Sequence, residues 1–506
     1  MLNKKVLLLA IFLIANSVNA RAKTGHSTLK SITDDIDSIN NILAGHTRLV
    51  NSLRNTLKTL QKKQSKNMED IGKISKIIDK LLDQKKKDDT KVSKLQKKVQ
   101  ELSKRGWYKG KKIPILIPHA GLAVRPEFAT NLWDLDSSKN DKQSWVDQRV
   151  RLGAEFHPFK VLDMVVTIQD TRRWGDSGGP DRHFNGTDLY NGYIVVHDFG
   201  VKGLGFKLGR MQLNFGSGRV IGNDVFSISG RAFDAALVRY APIPAVDITA
   251  MASILRENGM PSGKDRNLFG LYYTGKFLNK RLITDAYGFY LEDGKPSLQL
   301  KLGTFGVRVV GEPIKNLLLE AEASLQTGKK VIANTKHTQF AAAYYGSIQY
   351  TFGGVAKPGL GLLFSSASGD ANPYDNRDVS YMPMYPSKFK YWGKMDMFNW
   401  SGVVDGGFEA HVGYKDKFLA YTAFHAFFLA ANGGIVNMAG KDVRFPANKG
   451  RTLGYEWDLL LRYNPWKFMH LDFAYGLFAP GSATKAAFNN HSNVAHALYF
   501  AAFLDF

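Results

Sequence analysis

Oxygen donors crowd one stretch of this 506-residue chain: Asp370, Asn372, Asp375, Asn376 and Asp378 lie within nine residues. Carboxylates and amides at that density could hold Ca²⁺, with Asp370, Asp375 and Asp378 supplying the charge. The spacing lacks the EF-hand pattern and equally suits a turn-rich, solvated loop. Ser347 and His411 fall in strand-like segments, but no motif unites them with a carboxylate, so no hydrolase set emerges and the chain reads as a non-enzyme. The 12 histidines form no pair at zinc-ligand spacing. Cysteine is absent, which removes disulfides, thiolate metal sites and a cysteine nucleophile. The expectation is therefore a protein without a cofactor, whose work is done by fixed charges. What those charges face depends on the elements that carry them.

The charge is uneven. Lys and Arg number 68 against 45 Asp and Glu, a net of +23, and residues 21–112 hold 24 basic against 10 acidic side chains, a surplus of 14. Ahead of them, Lys4 and Lys5 precede an apolar run of about ten residues and the small-residue site Val18-Asn19-Ala20, the order of a signal peptide over 1–20. The run is half the length of a membrane-spanning helix. From Leu29 the apolar residues step by three and four through Ile32, Ile36, Ile39 and Leu43 and end at Val92, Leu95, Val99 and Leu102. That register predicts a coiled coil over 21–105, on the order of 115 Å long if continuous. Its mixed Ile and Leu core favours a trimer, and its lysines read either as a solvated face or as a contact for anionic cell wall or lipopolysaccharide. Nucleic acid is not expected, because the interleaved aromatic residues of a single-strand platform are missing. A linker, 106–119, contains Trp107, Gly110 and Pro114.

From residue 120 to 506 the period becomes two. Leu453, Tyr455, Trp457, Leu459, Leu461 and Tyr463 share one face, and Glu456, Asp458 and Arg462 the other. Leu317, Leu319, Ala321, Ala323 and Leu325 repeat this opposite Glu320 and Glu322. About 18 strands can be counted. Every second connection is short, among them 157–160, 278–280, 311–316, 415–417 and 464–467, while the intervening ones are mostly long. Short turns on one rim and long loops on the other predict an all-β transmembrane barrel of antiparallel strands in a Gram-negative outer membrane. The chain ends with Leu498, Phe500, Ala502, Leu504 and Phe506 on one face, similar to the assembly signal of outer-membrane proteins.

Four stretches in this order resemble the alginate export family of 18-stranded outer-membrane barrels. They are Gln148-Arg149-Val150-Arg151-Leu152-Gly153 with Gln169-Asp170-Thr171-Arg172; Gly209-Arg210-Met211-Gln212-Leu213 with Gly218-Arg219-Val220-Ile221-Gly222 and Gly230-Arg231-Ala232-Phe233-Asp234; Ser368-Gly369-Asp370 with Tyr391-Trp392-Gly393-Lys394-Met395-Asp396; and Leu453-Gly454-Tyr455-Glu456-Trp457-Asp458 with Ala479-Pro480-Gly481. The resemblance spans nearly all of 115–506 and is silent on 29–102. It implies transport through an arginine-lined pore, and Arg149 and Arg151 match that strand. Parity points both to the lumen if the apolar face meets lipid, and the same argument sends Lys207, Arg239, Lys301 and Arg462 inward, with Asp163, Glu320, Glu322, Glu456, Asp458 and Asp472. Arg210 completes the pore-lining set. Its parity with Phe206 and Leu208 would place it in lipid at a cost of roughly 2–4 kcal/mol, so a bulge at Gly209 or a rim position is expected. A lumen of mixed sign dilutes the field. The expected function is a porin for small anionic or carbohydrate solutes, or an exporter of a polyanionic polysaccharide. The alternative is a structural anchor whose basic coil tethers the outer membrane to peptidoglycan. The expected partners are membrane lipid, lipopolysaccharide, the cell wall and further copies of the chain.

Overall fold

The computed structural model describes residues 115–139, 141–175, 186–257, 265–295, 298–332, 335–372 and 375–506, together with Asn51, Asn55, Lys76, Asp79, Lys80 and Asp83. Those six are helical and exposed, and none occupies the apolar register of the expected coil. The signal peptide, the coil and its trimeric assembly otherwise lie outside the described residues, as does the linker up to Lys112, Ile113 and Pro114.

Strands run in chain order: β1 (Ile115–Thr130), β2 (Gln143–Phe159), β3 (Leu162–Arg173), β4 (Thr187–Val196), β5 (Leu204–Met211), β6 (Phe233–Ile243), β7 (Val246–Arg256), β8 (Arg266–Phe277), β9 (Leu282–Lys295), β10 (Leu298–Ile314), β11 (Leu317–Ile332), β12 (Thr335–Thr351), β13 (Gly359–Ala367), β14 (Arg377–Asp378), β15 (Val403–Tyr414), β16 (Phe418–Leu429), β17 (Gly434–Met438), β18 (Lys441–Phe445), β19 (Thr452–Trp466), β20 (Met469–Pro480) and β21 (Ala495–Asp505). Successive barrel strands pair antiparallel, and β1 closes the ring on β21 in the register Gly121↔Asp505 to Thr130↔His496. Among the described residues, 18 strands form the barrel. The two-residue β14 lies parallel on the side of β12, and β17 and β18 make a separate hairpin inside the loop between β16 and β19.

Closure removes the free edges that an open sheet of this size would expose. Every connection expected to be short is a turn on one rim. Lys415 and Asp416 both take positive φ there, which lets the three-residue turn 415–417 follow the twist of its strands. An even strand number puts both barrel ends on that rim, the periplasmic one for this class. The outer face is apolar, with Leu152, Phe305, Val307, Leu362 and Phe408 all exposed. The inner face is not uniformly polar. Met251, Leu268, Phe289, Leu291, Leu300, Leu302, Phe427 and Phe478 are buried on it, because two long loops fold inward and cover them.

Candidate functional site in the barrel lumen

The loop 212–232, from β5 to β6, and the loop 368–402, from β13 to β15, meet inside the barrel. Ile221 and Tyr385 form a parallel bridge. The Gly222 amide donates to the Tyr385 carbonyl at 2.8 Å, the Tyr385 amide to Val220 at 2.9 Å, and the Ser387 amide to Gly218 at 2.9 Å. Arg231 locks the seam by donating to the carbonyls of Gly222, Tyr385 and Pro386 at 2.9, 2.6 and 3.1 Å. Buried polar backbone must find partners, and here the two loops supply them to each other.

Side chains fix the joined loops to the walls. Arg219 has no exposed side-chain surface, and its Nη1 lies 2.7 Å from both Glu320 and Glu322 of β11. The Tyr345 and Tyr391 rings, set at 69° to each other, flank the guanidinium at 3.3 and 4.1 Å. Ser217 and Tyr287 also donate to Glu322, at 2.8 and 3.0 Å. On β19, Glu456 accepts the Met395 amide at 2.9 Å and Asp458 the Lys394 amide at 3.0 Å. Gly393 precedes Lys394 and Met395 at φ +80°, and a Cβ there would collide with the Glu456 carboxylate. Trp392, Met397, Phe398 and Trp400 fill the neighbouring space as an apolar core inside the barrel.

The opposite wall is basic. Arg125, Arg149 and Arg151 donate to the carbonyls of Phe226, Ile228 and Ser229 at 2.5, 3.3 and 3.4 Å. Arg125 also pairs with Glu127 at 2.6 Å. Arg151 lies 3.6 Å over the Tyr190 ring. Among the described residues, no carboxylate pairs with Arg149 or Arg151. Several other lumen-facing charges are matched: Arg308 with Asp285 and Glu320, both at 2.8 Å; Arg462 with Asp472 at 2.6 Å; and Arg239 with Asp247. Asp163 accepts from His157 and His197 at 2.6 and 2.5 Å. Lys207 sits 3.8 Å over Tyr193 and, with Arg239, lines a 300 Å³ pocket toward the periplasmic rim.

Of the residues expected in the pore, Arg149, Arg151, Lys207, Arg239, Glu320, Glu322, Glu456, Asp458 and Arg462 face inward, and two do not. Arg210 is on the outer face, where it bonds Asp188 and Asp234 at 3.2 and 3.1 Å. Those contacts lie at the loop end of β5 and β6, the rim position that spares it the cost of lipid. Lys301 is also outward, 3.2 Å from Glu292. Parity points Lys301 inward only if Leu300 and Leu302 meet lipid, whereas both are buried beneath the loops. The calcium candidate loop is occupied by its own turns. Asp370, Asp375 and Asp378 accept the amides of Asn372, Arg377 and Ser380 at 2.9, 2.8 and 2.9 Å, and Asp378 pairs with Lys330. Among the described residues, no three acidic or histidine side chains gather as a metal cage.

Arg219, the centre of the loop contacts, was not among the expected site residues. Its signal was present, since Gly218-Arg219-Val220-Ile221-Gly222 is one of the stretches that carried the resemblance. So was Tyr391-Trp392-Gly393-Lys394-Met395-Asp396, the segment seated on β19.

The model of a family described as alginate export matches residues 122–497. Among solved structures, the chain is similar to Pseudomonas aeruginosa OpdK with vanillate, at 12% identity over 77% of this chain and 99% of that one, with a TM-score of 0.51. It is similar to Pseudomonas aeruginosa OccK8 (OprE) at 12% identity over 77% and 98%, with a TM-score of 0.51. Acinetobacter baumannii OccAB2 aligns at 11% identity over 77% and 97%, with a TM-score of 0.50. At these identities the likeness shows the fold. No curated protein matches the chain.

Proposed function

We propose, from the premise that the chain belongs to the alginate export family, that this outer-membrane channel passes small anionic or carbohydrate solutes along its basic wall. The observation that carries this reading is the pair Arg149 and Arg151. They face the lumen with no carboxylate partner among the described residues, while the strand arginines Arg125, Arg308 and Arg462 are each ion-paired. A guanidinium held only by neutral groups keeps its charge available to a passing anion. The inward loops and their apolar core favour small solutes over a polysaccharide thread, because they occupy lumen that a polymer would need.

The N-terminal region extends the proposal. We infer a signal peptide over 1–20 and a periplasmic coil over 21–105 that joins copies of the chain, most simply three, and offers its lysines to the cell wall.

Planar-bilayer recordings across a salt gradient test the channel reading. The protein should show mild anion preference, and replacing Arg149 and Arg151 together by Ala should move the reversal potential toward cation preference. An unchanged potential would remove both arginines from the conducting path. A protein that passes no current would favour the anchor reading.

A further inference from the structure

We propose that the outer face of β8–β11 binds one molecule of an anionic phosphoglycolipid of the outer leaflet, with phosphate on Lys301, Lys329 and Lys336 and an acyl chain in the groove beside them. The proposal rests on the outer-membrane reading and concerns the face turned away from the lumen. A groove of about 550 Å³ lies there, lined by Leu271, Ala286, Gly288, Phe305, Val307 and Ala323 among others. Small residues on β9 and β11 form its floor, and the exposed Phe305 and Leu271 form its sides.

The register fixes the lysines relative to that groove. One row across the outer face reads Gly288↔Phe305↔Leu325↔Ala342, at the level of the groove. The next row toward the loops is Tyr290↔Gly303↔Thr327↔Phe340, whose two aromatic rings mark the membrane interface. Beyond it comes Glu292↔Lys301↔Lys329↔Thr338, and then Val331↔Lys336. Lys301 and Lys329 thus stand one row past the aromatic row and Lys336 two rows past it, at the depth of the lipid headgroups and above the end of the groove.

Their arrangement asks for an anion. Lys301 and Lys329 are directly opposed on adjacent strands, a pairing that is destabilising without a counter-charge. Glu292 reaches Lys301 at 3.2 Å. No described carboxylate pairs with Lys329 or Lys336. Backbone spacing holds the three cations within reach of one or two phosphates, and an apolar groove at their foot distinguishes a lipid from a free anion.

Native mass spectrometry of the delipidated full-length protein tests the site, using bisphosphorylated lipid A, its monophosphorylated form, phosphatidylglycerol and phosphatidylethanolamine as probes. Lipid A should be retained in preference to the phospholipids, and less so after loss of one phosphate. The double variant Lys329→Gln/Lys336→Gln should lose roughly tenfold or more in retention. Ala323→Phe, which fills the groove and leaves the charges, should also weaken retention while keeping the salt dependence. Heat-modifiable gel mobility verifies that each variant is folded. Equal retention by the wild type and both variants would overturn the proposal, as would equal retention of lipid A and phosphatidylglycerol. Ala323→Phe breaking an oligomer with lipid binding unchanged would instead assign the groove to a second copy of the chain. Conductance of the lysine variant should stay at the wild-type value, so the lipid site and the channel reading can fail separately.

Discussion

Arg219 carries a full charge with no exposed side-chain surface. Burying such an ion is offset only when its partners are close and fixed, and removing one member of a buried group costs about 3–5 kcal/mol because the others are left uncompensated. Two carboxylates and two tyrosine rings meet that condition here, so Arg219 acts as the rivet between loop and wall. Asp396, on the same inward loop as Tyr391, is held less securely. It keeps 21% of its side-chain surface open, with Lys388 at 3.7 Å. Burial pushes its carboxyl up to about 7, opposed by Lys388 and the backbone around Phe389 and reinforced by Asp224. A freed loop would return this carboxyl to its ordinary value near 3.8. Between roughly pH 4 and pH 7 the docked loop therefore holds the extra proton, and its stability falls as pH rises through that window and levels off above it. Single-channel recordings should show more loop-release noise at pH 8 than at pH 5, and Asp396→Asn should flatten the difference. A variant that keeps the wild-type pH slope would clear Asp396 of this role.

Strands and loops differed sharply in how much the chain disclosed. The alternation of Tyr455 and Trp457 with Glu456 and Asp458 was enough to orient β19, because one side of that strand meets lipid and the other meets polar partners. The same rule misplaced Lys301, since Leu300 and Leu302 are apolar on the lumen side and period two cannot say which of two dry faces is which. The loops were less legible still. Arg219 meets Glu320 across 101 positions of sequence, and nothing local to either residue names the other. Glycine carries some of that hidden information. Gly393 lies at a positive φ against the Glu456 carboxylate, so Gly393→Ala should detach the segment around Lys394 and Met395 from β19 while leaving the barrel strands paired. The expected result is a larger, noisier conductance with unchanged heat-modifiable mobility. Wild-type conductance from a folded Gly393→Ala protein would show that this segment does not narrow the path.

Assembly of the whole chain rests on the N-terminal coil as proposed. Deleting residues 21–105 should reduce the native mass to that of a single barrel and abolish co-sedimentation with peptidoglycan, which in the full-length protein should weaken as salt is raised. A truncated protein of unchanged oligomeric state would free the coil from the first role, and full-length protein that never pellets would free it from the second. The joined loops carry a different consequence. Their roots, β5 with β6 and β13 with β15, stand eight strands apart in a ring of 18, nearly diametrically opposed. A hollow ring of strands flattens readily, since only its curvature resists. A cross-beam bonded at mid-span and riveted to both walls changes the mechanics: squeezing the ring along one diameter now has to break the seam between Val220 and Tyr385. The cross-section of the lumen is thereby set by the protein itself and insulated from the lateral pressure of the bilayer around it.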